Sequence, residues 1–127
     1  VTRRDEVRYP SDPLLNIRRD VRGCAVVLHI VGEIDVTSAG ILSEHLKTAE
    51  ALATSPAPVV VDLDRVTFLG SFGIATLIDH HQRCREQSTP LRLVATHHAV
   101  LRPIETCGLT RLFTMCDSVA HALTPTA

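Results

Sequence analysis

Nothing in the sequence approaches the roughly 18 consecutive apolar residues of a membrane span, and no signal-peptide succession opens it. A cytoplasmic chain that does not enter a membrane is expected. Net charge is also nearly absent, at −1 with the histidines neutral, so no global field recruits nucleic acid or an anionic lipid surface. Arg3, Arg4, Arg8, Arg18, Arg19 and Arg22 enrich the N-terminal quarter, but Asp5, Glu6, Asp12 and Asp20 interrupt them. No aromatic-lined basic groove follows, which removes the usual footprint of a nucleic-acid binder. There is no C-x-x-C pair: Cys24, Cys84, Cys107 and Cys116 are scattered, without the dense spacing of a disulfide scaffold. Walker A, G-x-G-x-x-G and H-E-x-x-H sequences are missing, so nucleotide and metallopeptidase chemistry have no motif and no cofactor is implied.

What remains suits one domain, since 127 residues can bury a core without staples. The first dozen are polar and carry Pro10 and Pro13. They read as a flexible arm over residues 1–13, followed by a single domain over 14–127. Apolar residues at 14–21 and 24–30 flank a turn at Arg22 and Gly23, the pattern of a β-hairpin. Thr37 or Ser38 offers a cap for a helix running to about Thr54, with Leu42, Leu46, Ala49 and Ala53 as its packing stripe. Ser55-Pro56-Ala57-Pro58 breaks that helix.

A second strand and helix fill residues 58–87. Val59, Val60, Val61 and Leu63 form a β-branched run suited to a sheet covered on both faces. After Phe68 and Leu69 the chain turns through Gly70-Ser71-Phe72-Gly73. In the following helix Ile74, Leu77, Ile78, His81 and Arg85 recur at spacings of three and four, which predicts the buried face. His80 then points away from the core, and His80, His81 and Cys84 cannot converge on a metal. Counted at 100° per residue, Phe72 lies nearly opposite the buried stripe. Its ring either faces out as a docking anchor or folds back onto the sheet.

Beyond Ser88-Thr89-Pro90, Leu91, Leu93 and Ala95 give another strand, and a helix from about His98 to Cys107 contains Pro103 and ends at Gly108. Leu112, Phe113 and Met115 make a short strand, and Asp117 or Ser118 caps a terminal helix. Strands and helices alternate after an initial hairpin. The expected class is α/β, a mixed sheet packed against helices.

Ser71 at a helix start has two readings. Its hydroxyl can accept a first-turn N–H, or a phosphate placed there can meet unpaired donors and the positive end of the dipole. A nucleophile elbow is a third use for a serine at a strand-to-helix turn, but Leu69 and the Phe72-Gly73 spacing depart from G-x-S-x-G. A small serine-dependent hydrolase therefore lacks its motif, and no catalytic residue is assigned.

Three motifs in order carry a family likeness: Val31-Gly32-Glu33-Ile34-Asp35 with Leu42 and Leu46; Val59-Val60-Val61-Asp62-Leu63 through Val66-Thr67-Phe68; and Leu91-Arg92-Leu93-Val94 through Gly108-Leu109 and Arg111-Leu112-Phe113. Over residues 14–124 the chain resembles the STAS domains of bacterial anti-sigma factor antagonists. The resemblance implies partner switching. Such a protein binds an anti-sigma factor that is also a serine kinase, releases a sigma factor, and is switched off by phosphorylation and on by a phosphatase. It makes Ser71 the phosphorylation site and puts the partner surface on Asp35, Thr37, Ser38, Gly70, Ser71, Phe72, Gly73, Thr76 and Asp79. Asp62, Asp64 and Thr67 would brace the turn or contact the partner, with bracing the favoured role. The alternative within the resemblance is a docking module that is not phosphorylated. Gly70 stands where the family places aspartate, and Phe72 where it places a second serine or threonine. Oligomeric state is left open.

Overall fold

The computed structural model describes residues 4–7 and 14–125. A six-stranded sheet in the order β1-β2-β3-β4-β5-β6 organises them. β1 (Arg4–Val7), β2 (Leu15–Arg22) and β3 (Ala25–Ile34) form an antiparallel meander, so part of the span read as an arm pairs with the sheet edge. The rest of that arm lies outside the described residues. β4 (Val59–Leu69), β5 (Leu91–Val94) and β6 (Thr114–Cys116) continue in parallel from β3. Parallel neighbours require crossovers, supplied by the helices α1 (Ala39–Leu52), α2 (Ser71–Gln87) and α3 (His98–Thr106).

The alternation of β4 decides what each sheet face carries. Val59, Val61 and Leu63 enter the main core with Leu28 and Ile30 of β3, Leu42 and Leu46 of α1, Leu77 of α2 and Ile104 of α3. Val60 points the other way, into a smaller cluster with Val27, Val94, Cys116 and Ala122. That second cluster is closed by α4 (Val119–Ala122), whose N-cap Ser118 accepts the N–H of His121 at 3.0 Å. β4 is therefore covered on both faces at its start, as its unbroken apolar run requires.

β4 ends at Leu69, where the chain is expected to turn, and its second half pairs with β3 out to Ile34 and Leu69. Elsewhere a boundary and one helical face differ from expectation. The last strand begins at Thr114; Leu112 sits in a turn, donating its N–H to Leu109 O at 3.0 Å, while Phe113 is buried. The buried stripe of α2 is Gly73, Ile74, Leu77, His80, His81 and Cys84, whereas Ile78 and Arg85 are exposed. The helix is rotated because α2 packs on α1 as well as on the sheet, so its buried sector is wide enough to enclose His80. All four cysteines are free, and burial pushes the Cys84 thiol up to about 12, which makes it inert packing.

Burial also lowers the His81 pKa from its ordinary 6.5, with Arg85 adding to the shift, and the ring meets Phe113 edge-on at 5.7 Å. His45 is lowered by burial and then by Arg19. A histidine whose folded pKa is depressed takes up its proton more readily when unfolded, so its stabilising contribution is full above about 6.5 and declines as pH falls below it. Urea midpoints should therefore drop between pH 7 and 5, and His81→Phe should flatten that slope.

Candidate functional site

Two loops meet at the C-terminal end of β3 and β4. In the first, the Asp35 carboxylate accepts the N–H and hydroxyl of Thr37 at 2.9 and 2.8 Å and the N–H of Ser38 at 3.1 Å. These bonds, led by the Thr37 hydroxyl, hold the Asp35 pKa below its ordinary value. Ser38 is the N-cap of α1 yet caps nothing with its side chain; its hydroxyl is buried, accepting Asp35 N–H at 2.9 Å and lying 3.0 Å from Glu33 O. Ser38 therefore shapes the loop from inside. Asp35 and Thr37 face outward.

The second loop is pinned to the first by Gly70, whose N–H donates to Ile34 O at 2.9 Å. Gly70 is the N-cap of α2 in extended geometry, so Ser71 is the first helical residue and its hydroxyl has no capping bond. No acidic residue occupies that first turn, leaving the positive end of a 17-residue helix uncompensated beside Ser71. Gly73 is buried against Ile34: a Cβ there would come within 2.6 Å of Ile34 Cγ2 and 2.8 Å of Leu69 Cδ1. Only a residue without a side chain lets α2 start this close to β3.

Ser71 and Phe72 are both exposed, Phe72 by 58%. Of the two positions open to its ring, the outward one is occupied. Val36 (62%) in the first loop and Phe68 (49%) near the end of β4 are further exposed apolar side chains. Asp79 is exposed further along α2, and Thr76 is half-buried with its hydroxyl donating to Phe72 O at 2.9 Å. On its other side Ser71 borders a shallow apolar groove of about 450 Å³ between α2 and α3, where Arg102 and His98 also contribute. The three residues expected to brace the turn or meet the partner bond elsewhere, to the segment after β5 and to β3, and none of these bonds reaches Gly70–Gly73. Asp64 accepts Thr96 N–H at 2.9 Å, Asp62 pairs with His29 Nδ1 at 2.9 Å, and Thr67 reaches Gly32 O at 3.4 Å.

A family model for the STAS domain matches residues 15–122. The chain belongs to the STAS domain family. It is 37% identical over 105 residues to the anti-sigma-F factor antagonist RsfB of Mycobacterium tuberculosis, covering 83% of each chain. A crystal structure of an anti-sigma factor antagonist from Mycobacterium paratuberculosis superposes with a TM-score of 0.77 at 28% identity, covering 92% of this chain and 96% of that one. Bacillus SpoIIAA, solved in unphosphorylated and phosphorylated forms, shares the fold at TM-scores of 0.66 and 0.61 with 15% identity, covering 80% of this chain and 89% and 92% of those. Among the described residues no STAS helix here is long and apolar enough to cross a membrane, and no group of three or more ligating side chains could hold a metal.

A polar cluster behind the loops escaped the sequence reading. His80 is fully buried, with Nδ1 bonded to the Glu50 carboxylate and Nε2 at 2.9 Å from the Ser43 hydroxyl. With the proton on Nδ1, the ring donates to Glu50 and accepts from Ser43. Arg83 Nε donates to the other Glu50 oxygen at 3.0 Å. Serine, imidazole and carboxylate stand in the order of a nucleophilic triad. Ser43, however, lies in the middle of α1, where backbone N–H groups are used by the helix itself and cannot face an oxyanion. The cluster ties α1 to α2 and so fixes the two helices that carry the loops. Its sequence signal was the i, i+7 spacing of Ser43 and Glu50 on the face adjoining α2.

Proposed function

We propose that this STAS domain is an anti-sigma factor antagonist, cytoplasmic in location, that binds an anti-sigma factor with serine-kinase activity and thereby releases a sigma factor. Phosphorylation of Ser71 switches the interaction off, and a phosphatase restores it. The observation that carries this reading is an exposed Ser71 at the first position of α2 beside exposed Phe72, on a loop whose Gly70 N–H bonds Ile34 O next to Asp35. The 37% identity to a protein named an anti-sigma-F factor antagonist supports the class of partner.

A phosphate at Ser71 would add about two negative charges at pH 7. A partner surface fitted to a neutral hydroxyl and an apolar ring would then have to desolvate a dianion, which opposes binding. Titration calorimetry with the cognate anti-sigma factor tests this directly. Ser71→Ala should bind like the wild type and Ser71→Asp about tenfold more weakly; equal affinities for the two would remove the electrostatic switch.

Exposed Phe72, Phe68 and Val36 favour a second reading, a docking module that needs no phosphate, because an apolar patch anchors a partner by burial alone. Phe72→Ala should weaken binding about tenfold under either reading. Incubation with the kinase and ATP followed by mass spectrometry separates them: an unmodified Ser71 in a protein that still binds means docking alone.

A further inference from the structure

At the far end of the sheet from Ser71, where the parallel strands begin, lies a cavity of about 550 Å³. Four prolines contribute to its walls, among them Pro58 and Pro90 at the entrances of β4 and β5, together with Leu123, Cys24, Arg22 and Arg92. Prolines have no N–H to offer, so their part of the wall is apolar surface without donors. The volume falls within the roughly 300–1,000 Å³ of small-molecule sites, which are apolar with a few placed polar groups. Among the described residues no acidic side chain lines it.

The two arginines have different tasks. Arg92 is buried and its Nη1 donates to Ala122 O and Thr124 O at 2.7 and 2.6 Å, which fastens the segment after α4 against the sheet. Arg22 is half-exposed, and its Nε donates to Asp20 Oδ2 at 2.8 Å. That single bond orients the guanidinium. Its two terminal nitrogens have no partner among the described residues, leaving one edge of a planar fork at an apolar cavity.

We propose that this cavity binds a small amphipathic carboxylate. The apolar body lies against the prolines and Leu123, and the carboxylate pairs with the terminal nitrogens of Arg22. A guanidinium edge matches a carboxylate in bidentate fashion, and charge-assisted bonds of this kind are about twice as strong as neutral ones. A neutral apolar molecule of the same length gains the burial and forgoes the ion pair. The site is remote from Ser71, and its occupancy does not depend on the partner-switching reading.

Cysteine chemistry provides the test, because Cys24 lines the cavity and is exposed, while Cys107 is exposed elsewhere. Decanoate, kept below its micelle concentration, should slow alkylation of Cys24 by N-ethylmaleimide about tenfold and leave Cys107 unchanged, read by mass spectrometry of the digested protein. Arg22→Gln should raise the decanoate concentration for half-protection about tenfold, whereas protection by decan-1-ol should be weaker and the same in both proteins. In the wild type, saturable ¹⁵N amide shifts on decanoate titration should centre on Cys24, Ala57 and Leu123. Equal slowing of both thiols, no slowing at Cys24, or identical half-protection of wild type and Arg22→Gln would overturn the proposal.

Discussion

His80→Ala should destabilise the domain by about 3 kcal/mol, the cost of leaving a buried carboxylate oxygen without its hydrogen-bond donor. Glu50 is itself buried, and the substitution would leave one of its oxygens facing the hole where the imidazole stood. Arg83 would still hold the other oxygen, but its side chain is 43% exposed and pairs in partly solvated surroundings. Ser43 would lose its partner as well. The cavity adds its own cost. Chemical denaturation with two-state analysis measures the loss, and the double variant Glu50→Leu, His80→Leu should recover much of it, since an apolar pair leaves no stranded charge. A loss under about 1 kcal/mol for His80→Ala would mean that the cluster does not hold α1 to α2.

Gly32→Ala should be as damaging, by about 4 kcal/mol or more, for a backbone reason. Gly32 has φ of +118°, a region that residues with a side chain rarely adopt, and a Cβ built there would fall 1.7 Å from Leu14 O. That oxygen also accepts the N–H of Glu33 at 3.0 Å, so it cannot withdraw without breaking the β2–β3 pairing beside it. The register with β4 shifts between Gly32 and Glu33, which lets β3 bend before delivering Ile34 and Asp35 to the loop. Poor yield of soluble Gly32→Ala, or a melting temperature far below wild type, is the expected readout. Wild-type stability would mean the backbone relaxes there at little cost.

Both effects bear on the proposed partner surface, to which neither residue is assigned. Gly32 governs how β3 presents Asp35 and Thr37, and His80 governs how α1 and α2 stand relative to one another. A variant at either position that weakens partner binding should do so in proportion to its loss of folded protein. Ser71→Asp, by contrast, should weaken binding with the fold intact.

Local chemistry made much of this protein readable from its sequence. The hairpin followed from apolar runs around Arg22 and Gly23, α1 from its stripe of Leu42, Leu46 and Ala49, the end of α2 from Ser88-Thr89-Pro90, and Ser71 from its place between a β-branched strand and an amphipathic helix. These are short-range preferences, set by backbone sterics and by side-chain period along one element. Only the tertiary structure decided that Gly70 N–H meets Ile34 O, that Gly73 lets α2 begin against β3, and that the Phe72 ring faces out. It also placed His80 between Ser43 and Glu50, where periodicity had turned it outward. The reason is geometric: a helix packed against both a sheet and another helix buries a sector wider than one stripe, and its rotation is set by partners distant in the chain.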